Sequence, residues 1–271
     1  MVPRERLRED AGGRMNAMTE EIDEMSRPAL PKTPVLITAA TRWEYRPLAK
    51  ALGLSETELS TNSSRDESVD NFFSPNRSEG IFAGRKIVLL KTGIGAKNAA
   101  DALAAGFSPA DFGAAISAGL CGAMQKAAKT GAIVADAREA DLDLVKPLRE
   151  TALKLDLPFH FGKILHTNIV LQPKVKRLLG QEQRVLACDM ETASLRRWAG
   201  TATAAIAVRV VLDEIDEELP SDVPEGEDAA SLARYALKNA ASLPSLIKTG
   251  WRSARAMKNL SRFLAAYLEA I

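Results

Sequence analysis

Short apolar runs alternate with segments of helical spacing along most of the chain, and this alternation predicts the fold. The first run, residues 35–40, has the composition of a buried strand. Residues 44–52 then place their apolar side chains on one face of a helix that ends at Gly53. Residues 55–80 are rich in Ser, Asn, Asp and Glu, which predicts a loop.

The rest of the chain repeats this alternation. Glycine-rich turns are predicted after two of the later strands, at residues 92–95 and 119–123. Strands are predicted at residues 87–90, 114–117, 131–135, 185–187 and 204–211, and helices at residues 97–105 and 192–198. Strands that alternate with helices predict an α/β fold of three layers, with a central mixed, mostly parallel sheet flanked by helices.

The two ends of the chain differ from this pattern. Residues 1–33 are polar and charged, so we expect a flexible N-terminal arm before a single domain that spans residues 34–271. Residues 243–271 carry apolar side chains at spacings of three or four, which predicts one or two amphipathic helices. The basic face of this tail is typical of a solvent-exposed helix, and a membrane surface is the less favoured alternative.

Composition excludes several classes of function. Lysines and arginines number 36 against 35 aspartates and glutamates, so no basic field favours nucleic acid. Cys121 and Cys188 lie far apart and outside any CxxC pair, and no cluster of His, Cys and acids appears, so we expect no disulfide, metal or organic cofactor. No apolar run approaches the roughly 20 residues that span a bilayer. Since a secretory signal is also absent, we expect a cytoplasmic protein.

Candidate chemistry begins at the glycine turn Thr92-Gly93-Ile94-Gly95. Glycine lets backbone N–H groups approach a bound anion or hydroxyl closely, although a tight turn between strand and helix explains the same residues equally well. Asn98 stands where a dinucleotide-binding loop has its third glycine, which excludes that motif.

Acidic residues follow two of the predicted strands. Residues 188–191 read Cys-Asp-Met-Glu before a helix, and Asp213 and Asp216 follow the strand at residues 204–211. Open α/β sheets bind ligands at such strand ends. Taken singly, Glu191 is equally explained as an acid at a helix N-terminus, and Asp213 as a loop residue or cap.

Together these segments resemble the family of purine nucleoside phosphorylases, uridine phosphorylases and methylthioadenosine/S-adenosylhomocysteine nucleosidases. Residues 188–191 keep three letters of the family's Val-Asp-Met-Glu string, and residues 209–216 resemble its Arg-x-x-Ser-Asp-x-x-Asp with Leu212 in place of serine. Residues 119–123 and 130–134 are similar to its glycine-rich strand end and its Val-Gly-Asp-Ile-Val segment. The resemblance extends in order from residue 35 to residue 216 and implies an enzyme that acts on nucleosides as a homo-oligomer.

The resemblance implies a role for each matching residue. Asp213 protonates the purine at N7, Glu191 binds the ribose hydroxyls, and Glu44 activates the attacking water. Thr92, Gly93 and Gly95 border the nucleophile. Further substrate contacts are expected from Met190, Cys121, Gly122, Val170 and Leu171.

Two departures from the family pattern bear on the substrate and the nucleophile. Residues 166–170 read His-Thr-Asn-Ile-Val and lack the usual aromatic residue that stacks on the base, and His166 is more often structural than a ligand in such a place. Ser117 replaces an arginine that bacterial phosphorylases use for phosphate, which favours water. Arg42 and Arg46 keep phosphate open as an alternative.

The C-terminal segment, residues 243–271, adds a further possible reaction, because it resembles the C-terminal segment of hopanoid-associated phosphorylase-like proteins. We therefore expect hydrolysis of the N-glycosidic bond of an adenine-type purine nucleoside. The alternatives are phosphorolysis, including the hopanoid-associated kind, and a nucleoside-binding protein without turnover.

Overall fold

A mixed sheet of ten strands forms the centre of the structure, a computed structural model that describes residues 32–57, 77–137, 142–218 and 243–271. The segment Lys32–Ile271 is one compact unit. The predicted N-terminal arm lies outside the described residues except for its last two positions. The middle of the predicted loop, residues 58–76, also lies outside them.

The described elements alternate between strands and helices. The strands are β1 (Val35–Ala39), β2 (Ser55–Thr57), β3 (Arg77–Phe82), β4 (Arg85–Lys91), β5 (Ala114–Ala123), β6 (Ile133–Asp136), β7 (Phe159–Phe161), β8 (Ile164–His166), β9 (Ala187–Asp189) and β10 (Ala204–Asp213). The helices are α1 (Arg42–Ala51), α2 (Ala96–Ala104), α3 (Leu142–Lys154), α4 (Pro173–Glu182), α5 (Thr192–Ala199) and α6 (Leu243–Ala270), with a 3₁₀ turn at Pro109–Asp111.

The sheet runs in the order β2-β3-β4-β1-β5-β10-β6-β7, and β9 joins β5 to β8. Strand β1 pairs in parallel with β4 and β5, and β5 pairs in parallel with β10. Every residue of β1 is buried, as expected for a central strand with helices on both faces. The α/β fold with a mixed sheet flanked by helices is therefore confirmed.

Two sequence predictions were wrong in detail. The predicted loop at residues 55–80 contains β2 and the first part of β3 at its ends, where Ser55 pairs with Glu79. The predicted turn at residues 119–123 lies inside β5, where Gly119 pairs with Arg209 of β10. The glycines of this segment predict a turn, but the segment pairs with β10 as a strand. The missing side chains of Gly119 and Gly122 leave space for side chains from neighbouring elements.

The C-terminal segment forms one helix of 28 residues, α6. From Met257 onward the predicted apolar stripe is buried against the body, with Met257, Leu260, Leu264 and Leu268 at most 1% exposed, whereas Trp251, which the same spacing includes, is 77% exposed. Arg255 is exposed, and Arg252 is half-buried. None of the described helices is long and apolar enough to span a membrane.

Candidate active site

One cavity of about 230 Å³ opens where β1, β5, β9 and β10 end. This is the edge at which open α/β sheets bind ligands, and the volume approaches the lower end of known small-molecule sites, about 300 Å³. Its lining consists of Ala40, Glu44, Ile94, Leu120, Cys121, Gly122, Thr167, Ile169, Val170, Leu171, Lys176, Cys188, Asp189, Met190, Glu191, Leu212 and Asp213.

Glu44 is held rigidly at the start of α1. Thr41 caps this helix, and the Glu44 side chain closes a capping box by accepting from the Thr41 N–H at 2.9 Å. The same oxygen, Oε2, accepts from the Thr41 hydroxyl at 3.0 Å and the Ala40 N–H at 3.1 Å, while Oε1 accepts from the Leu120 N–H at 2.7 Å. The carboxylate thus has a fixed orientation at the cavity wall.

The missing side chain of Gly119 lets Glu44 reach β5. A Cβ atom at position 119 would overlap both Glu44 Oε1 and Arg209 Nη1. Any residue larger than glycine would therefore push the carboxylate and the guanidinium out of place.

Glu191 occupies the N-cap position of α5 without a capping hydrogen bond from its side chain, which turns to the glycine turn after β4. Its Oε1 accepts from the Gly95 N–H at 2.8 Å, and its Oε2 lies 3.5 Å from Arg209 Nη2. Burial raises the pKa of Glu191 to about 7, and the carboxylates of Asp189 and Glu44 add to this rise while Arg209 and the Gly95 N–H oppose it. Glu191 therefore changes its charge near neutral pH.

Arg209 is the cation that holds the acidic residues together behind the cavity. Its Nη2 lies 2.7 Å from Asp189 Oδ2 and 2.6 Å from the Ser117 hydroxyl, and the side chain is 1% exposed. One buried guanidinium thus faces three carboxylates, those of Asp189, Glu191 and Glu44. This side of the cavity is acidic and unsuited to a further anion.

Asp213, the last residue of β10, forms the opposite wall with Lys176 of α4. Lys176 Nζ donates to Asp213 Oδ2 in a buried ion pair, and the two residues are 1% and 4% exposed. Burial raises the pKa of Asp213 above its ordinary value, and it outweighs the opposing effect of Lys176. A carboxyl group with a raised pKa next to a cavity is suited to donate a proton.

A scan of the sequence against models of protein families gives no match, and no curated protein matches it. Solved structures do match. Futalosine hydrolase of Helicobacter pylori superposes with a TM-score of 0.63 at 14% identity, covering 88% of this chain and 98% of that chain. The 5′-methylthioadenosine/S-adenosylhomocysteine nucleosidase of S. pneumoniae, solved with a transition-state inhibitor, gives 0.64 at 18% identity, covering 88% and 99%.

The corresponding nucleosidase of Neisseria meningitidis gives a TM-score of 0.61 at 19% identity, covering 89% of this chain and 100% of that chain. The chain has the fold of these nucleosidases. Because one fold supports many activities, the chemistry has to be argued from the residues at the cavity.

In this nucleosidase-like fold, most of the residues predicted from the sequence come together. Those at the cavity are Glu44, Cys121, Gly122, Val170, Leu171, Met190, Glu191 and Asp213. Gly95 lies outside the lining and donates its N–H to the Glu191 carboxylate. Thr92 is 1% exposed, and its hydroxyl lies within hydrogen-bond distance of the Ala39 and Gly93 carbonyl oxygens, at 3.3 and 3.1 Å. Thr92 and Gly93 stay outside the lining.

Arg42 and Arg46, the predicted phosphate candidates, do not line the cavity. Arg46 points into solvent, and Arg42 is half-buried on the same helix as Glu44. His166 ends β8 beside Asp189, and its Nδ1 is buried without a partner among the described residues. His166 does not line the cavity. Its interpretation as a structural residue stays a prediction.

The segment of the lining at residues 167–171 is aliphatic where the family pattern has an aromatic residue. Ile169, Val170 and Leu171 line it together with Thr167. The part of the lining that the structure describes contains no aromatic side chain. A planar base would therefore pack between aliphatic side chains.

Sequence reasoning missed Lys176. On α4 the apolar Val175 and Leu178 are 39% and 55% exposed, whereas Lys176 is buried. A hydrophobic pattern that places Val175 and Leu178 inside would turn Lys176 toward solvent. Only the position of Asp213 at the adjacent strand end explains why the lysine is inside.

Proposed function

We propose that the chain hydrolyses the N-glycosidic bond of a purine nucleoside, with water as nucleophile. The observation that carries this proposal is the convergence of Glu44, Glu191 and Asp213 on one cavity from three separate elements. Each carboxyl group has a different setting. Glu44 is held by four hydrogen bonds, Glu191 changes its charge near pH 7, and Asp213 has a raised pKa beside a lysine.

Asp213 supplies the proton that the leaving base needs. A purine that leaves unprotonated carries negative charge, so protonation at N7 lowers the barrier. The raised pKa of Asp213 increases the fraction of the side chain that is protonated at neutral pH. Asp213 lines the same cavity as Ile169, Val170 and Leu171, the aliphatic side chains against which a base would pack.

Glu191 and Glu44 act on the sugar side. Glu191 binds the ribose hydroxyls, and those hydrogen bonds strengthen as the sugar gains oxocarbenium character. Glu44 orients a water molecule and takes its proton as the bond to C1′ forms. The two acids flank Arg209, so both stay oriented without substrate.

The charge of the cavity favours water over phosphate. Among the described lining residues the one cation is Lys176, which is paired with Asp213, while the acids are Glu44, Asp189, Glu191 and Asp213. A phosphate ion would enter an acidic site without an arginine, at an electrostatic cost that a neutral water molecule does not meet.

Product analysis with and without phosphate tests the nucleophile. We expect the rate of adenine release to be indifferent to added phosphate, with the free sugar as the second product. Adenine nucleosides are the first substrates to assay, because the Helicobacter pylori nucleosidase was solved as a mutant with 5′-methylthioadenosine in its active site. Formation of a sugar 1-phosphate, or a rate that rises in proportion to phosphate, would replace hydrolysis by phosphorolysis.

Glu191 gives nucleoside binding a defined dependence on pH. The side chain is protonated below its pKa of about 7 and ionised above it. Since a carboxylate is the stronger acceptor for hydroxyl groups, KM should fall as the pH rises from about 6 to about 8. Glu191→Gln should raise KM by about tenfold at the upper end and remove this dependence. Steady-state kinetics of both proteins across this pH range measure KM directly, and an unchanged slope in the variant would contradict the role.

The homo-oligomer implied by the sequence resemblance stays a prediction. Sedimentation of the full chain measures it directly. The alternative of a nucleoside-binding protein without turnover predicts affinity for the same nucleosides and no release of base.

A further inference from the structure

Lys176 has all of its hydrogen bonds fixed. Its ammonium group donates to Asp213 Oδ2, to the Glu214 carbonyl at 3.3 Å and to the Glu217 carbonyl at 3.2 Å. An ammonium group has three N–H donors, so none is left for a ligand. Whatever Lys176 contributes at the cavity therefore acts through Asp213.

The turn that supplies the two carbonyls, residues 214–217, is itself fastened by ion pairs. Glu214 lies 2.7 Å from Lys129, and Asp216 lies 2.7 Å from Arg177. Glu217 pairs with Arg252 of α6 at 2.6 Å and accepts from the Glu214 N–H at 2.8 Å. These ion pairs anchor the turn to neighbouring elements, and its two carbonyl oxygens accept hydrogen bonds from the buried ammonium group of Lys176.

We propose that Lys176 is a positioning residue for the acid of the leaving group: it holds Asp213 by Oδ2 and stabilises the carboxylate formed when Oδ1 gives its proton to the base. The inference rests on the proposed function. In this step the Oδ1–H bond breaks and the N7–H bond forms, while the C1′–N9 electron pair goes to the purine. Water forms the new bond to C1′ and gives its proton to Glu44. Asp213, left as a carboxylate beside Lys176, is reprotonated through solvent by the proton that Glu44 then releases.

The surroundings of Asp213 single out Lys176 as the charge that matters. Cys121 and Cys188 also lie close, but burial raises the pKa of Cys188 to about 12 and that of Cys121 well above its usual value, so both are neutral. The carboxylate of Glu217 faces Asp213 and is paired with Arg252. Lys176 is the described cation in direct contact with Asp213.

Replacing Lys176 by Met or Gln removes the charge and shortens the unbranched side chain by one atom. The pKa of Asp213 should then rise by about 1 to 3 units, the usual effect of losing an adjacent opposite charge. Because a general acid works only when protonated, the alkaline limb of the kcat profile should move to higher pH by the same amount. At the plateau kcat should fall by about tenfold with little change in KM, since the carboxylate that forms is no longer stabilised.

Lys176→Arg, which keeps the charge, should retain the wild-type limb. Lys174→Met, at an exposed position on the same helix, is the matched control and should behave as wild type. The Asp213 carboxyl is also titrated directly by infrared difference spectroscopy of each variant against Asp213→Asn, without substrate. If folded Lys176→Gln keeps both the wild-type limb and the wild-type carboxyl titration, the inference is overturned. A shifted carboxyl titration without any base release would support the pairing and reject the proposed function alone.

Discussion

Asp213→Asn is expected to lower kcat for base release by about 100-fold or more, while the affinity for nucleoside changes by no more than a few-fold. The carboxamide has nearly the same shape, and its oxygen can still accept from Lys176, so the cavity should keep its form. It has no proton of comparable acidity for the base. Burial raises the pKa of Asp213, which is the reason that we propose this side chain as the proton donor.

The control for this prediction is Asp101→Asn on α2. Asp101 is exposed and pairs with Lys97 on the same helix, so its loss should cost little. Stopped assays of free base and equilibrium binding separate kcat from affinity. Wild-type turnover in a folded Asp213→Asn variant would show that the acid lies elsewhere.

Glu44→Gln is expected to lower the rate of hydrolysis by about 100-fold or more, since an amide cannot take a proton from water. Stability should fall as well. Both carboxylate oxygens accept backbone N–H bonds, from Thr41 and Ala40 on one side and Leu120 on the other. A glutamine offers one acceptor oxygen, so part of this set is lost at a cost of about 1 to 3 kcal/mol.

Thr41→Ala separates the two effects of Glu44. It removes the hydroxyl that caps α1, and with it one of the four hydrogen bonds to the Glu44 carboxylate, but keeps the three backbone N–H bonds to that carboxylate. We expect it to lose about 1 kcal/mol of stability with most of the activity retained. Thermal unfolding and steady-state rates of both variants decide the matter. If the two variants lose activity equally, Glu44 serves the helix and not the chemistry.

The part of the site predictable from the sequence is the part set by strand ends. Glu191 and Asp213 each follow an apolar run, and the carboxyl ends of strands in an open α/β sheet meet at one edge. Glu44 could be placed for the same reason, because it opens the first helix after β1. These positions depend on local patterns and on the order of elements, both of which the sequence carries.

Features that depend on tertiary contact could not be predicted in the same way. Lys176 is buried because Asp213 and two carbonyls surround it, although its neighbours Val175 and Leu178 are more apolar. The glycines of residues 119–123 predicted a turn, yet Gly119 lies in a strand so that Glu44 and Arg209 can approach the backbone. In each case the deciding partner is distant in sequence.

Release of free base by the full-length chain tests the central claim most directly. Adenosine, 5′-methylthioadenosine and S-adenosylhomocysteine are incubated with wild type and with Asp213→Asn, and free adenine is separated from nucleoside by chromatography. We expect wild type to release adenine from at least one of them without phosphate. The rate of release by Asp213→Asn should be lower by about 100-fold or more. Nucleosides that bind in the cavity and remain intact with the wild-type chain would contradict the claim.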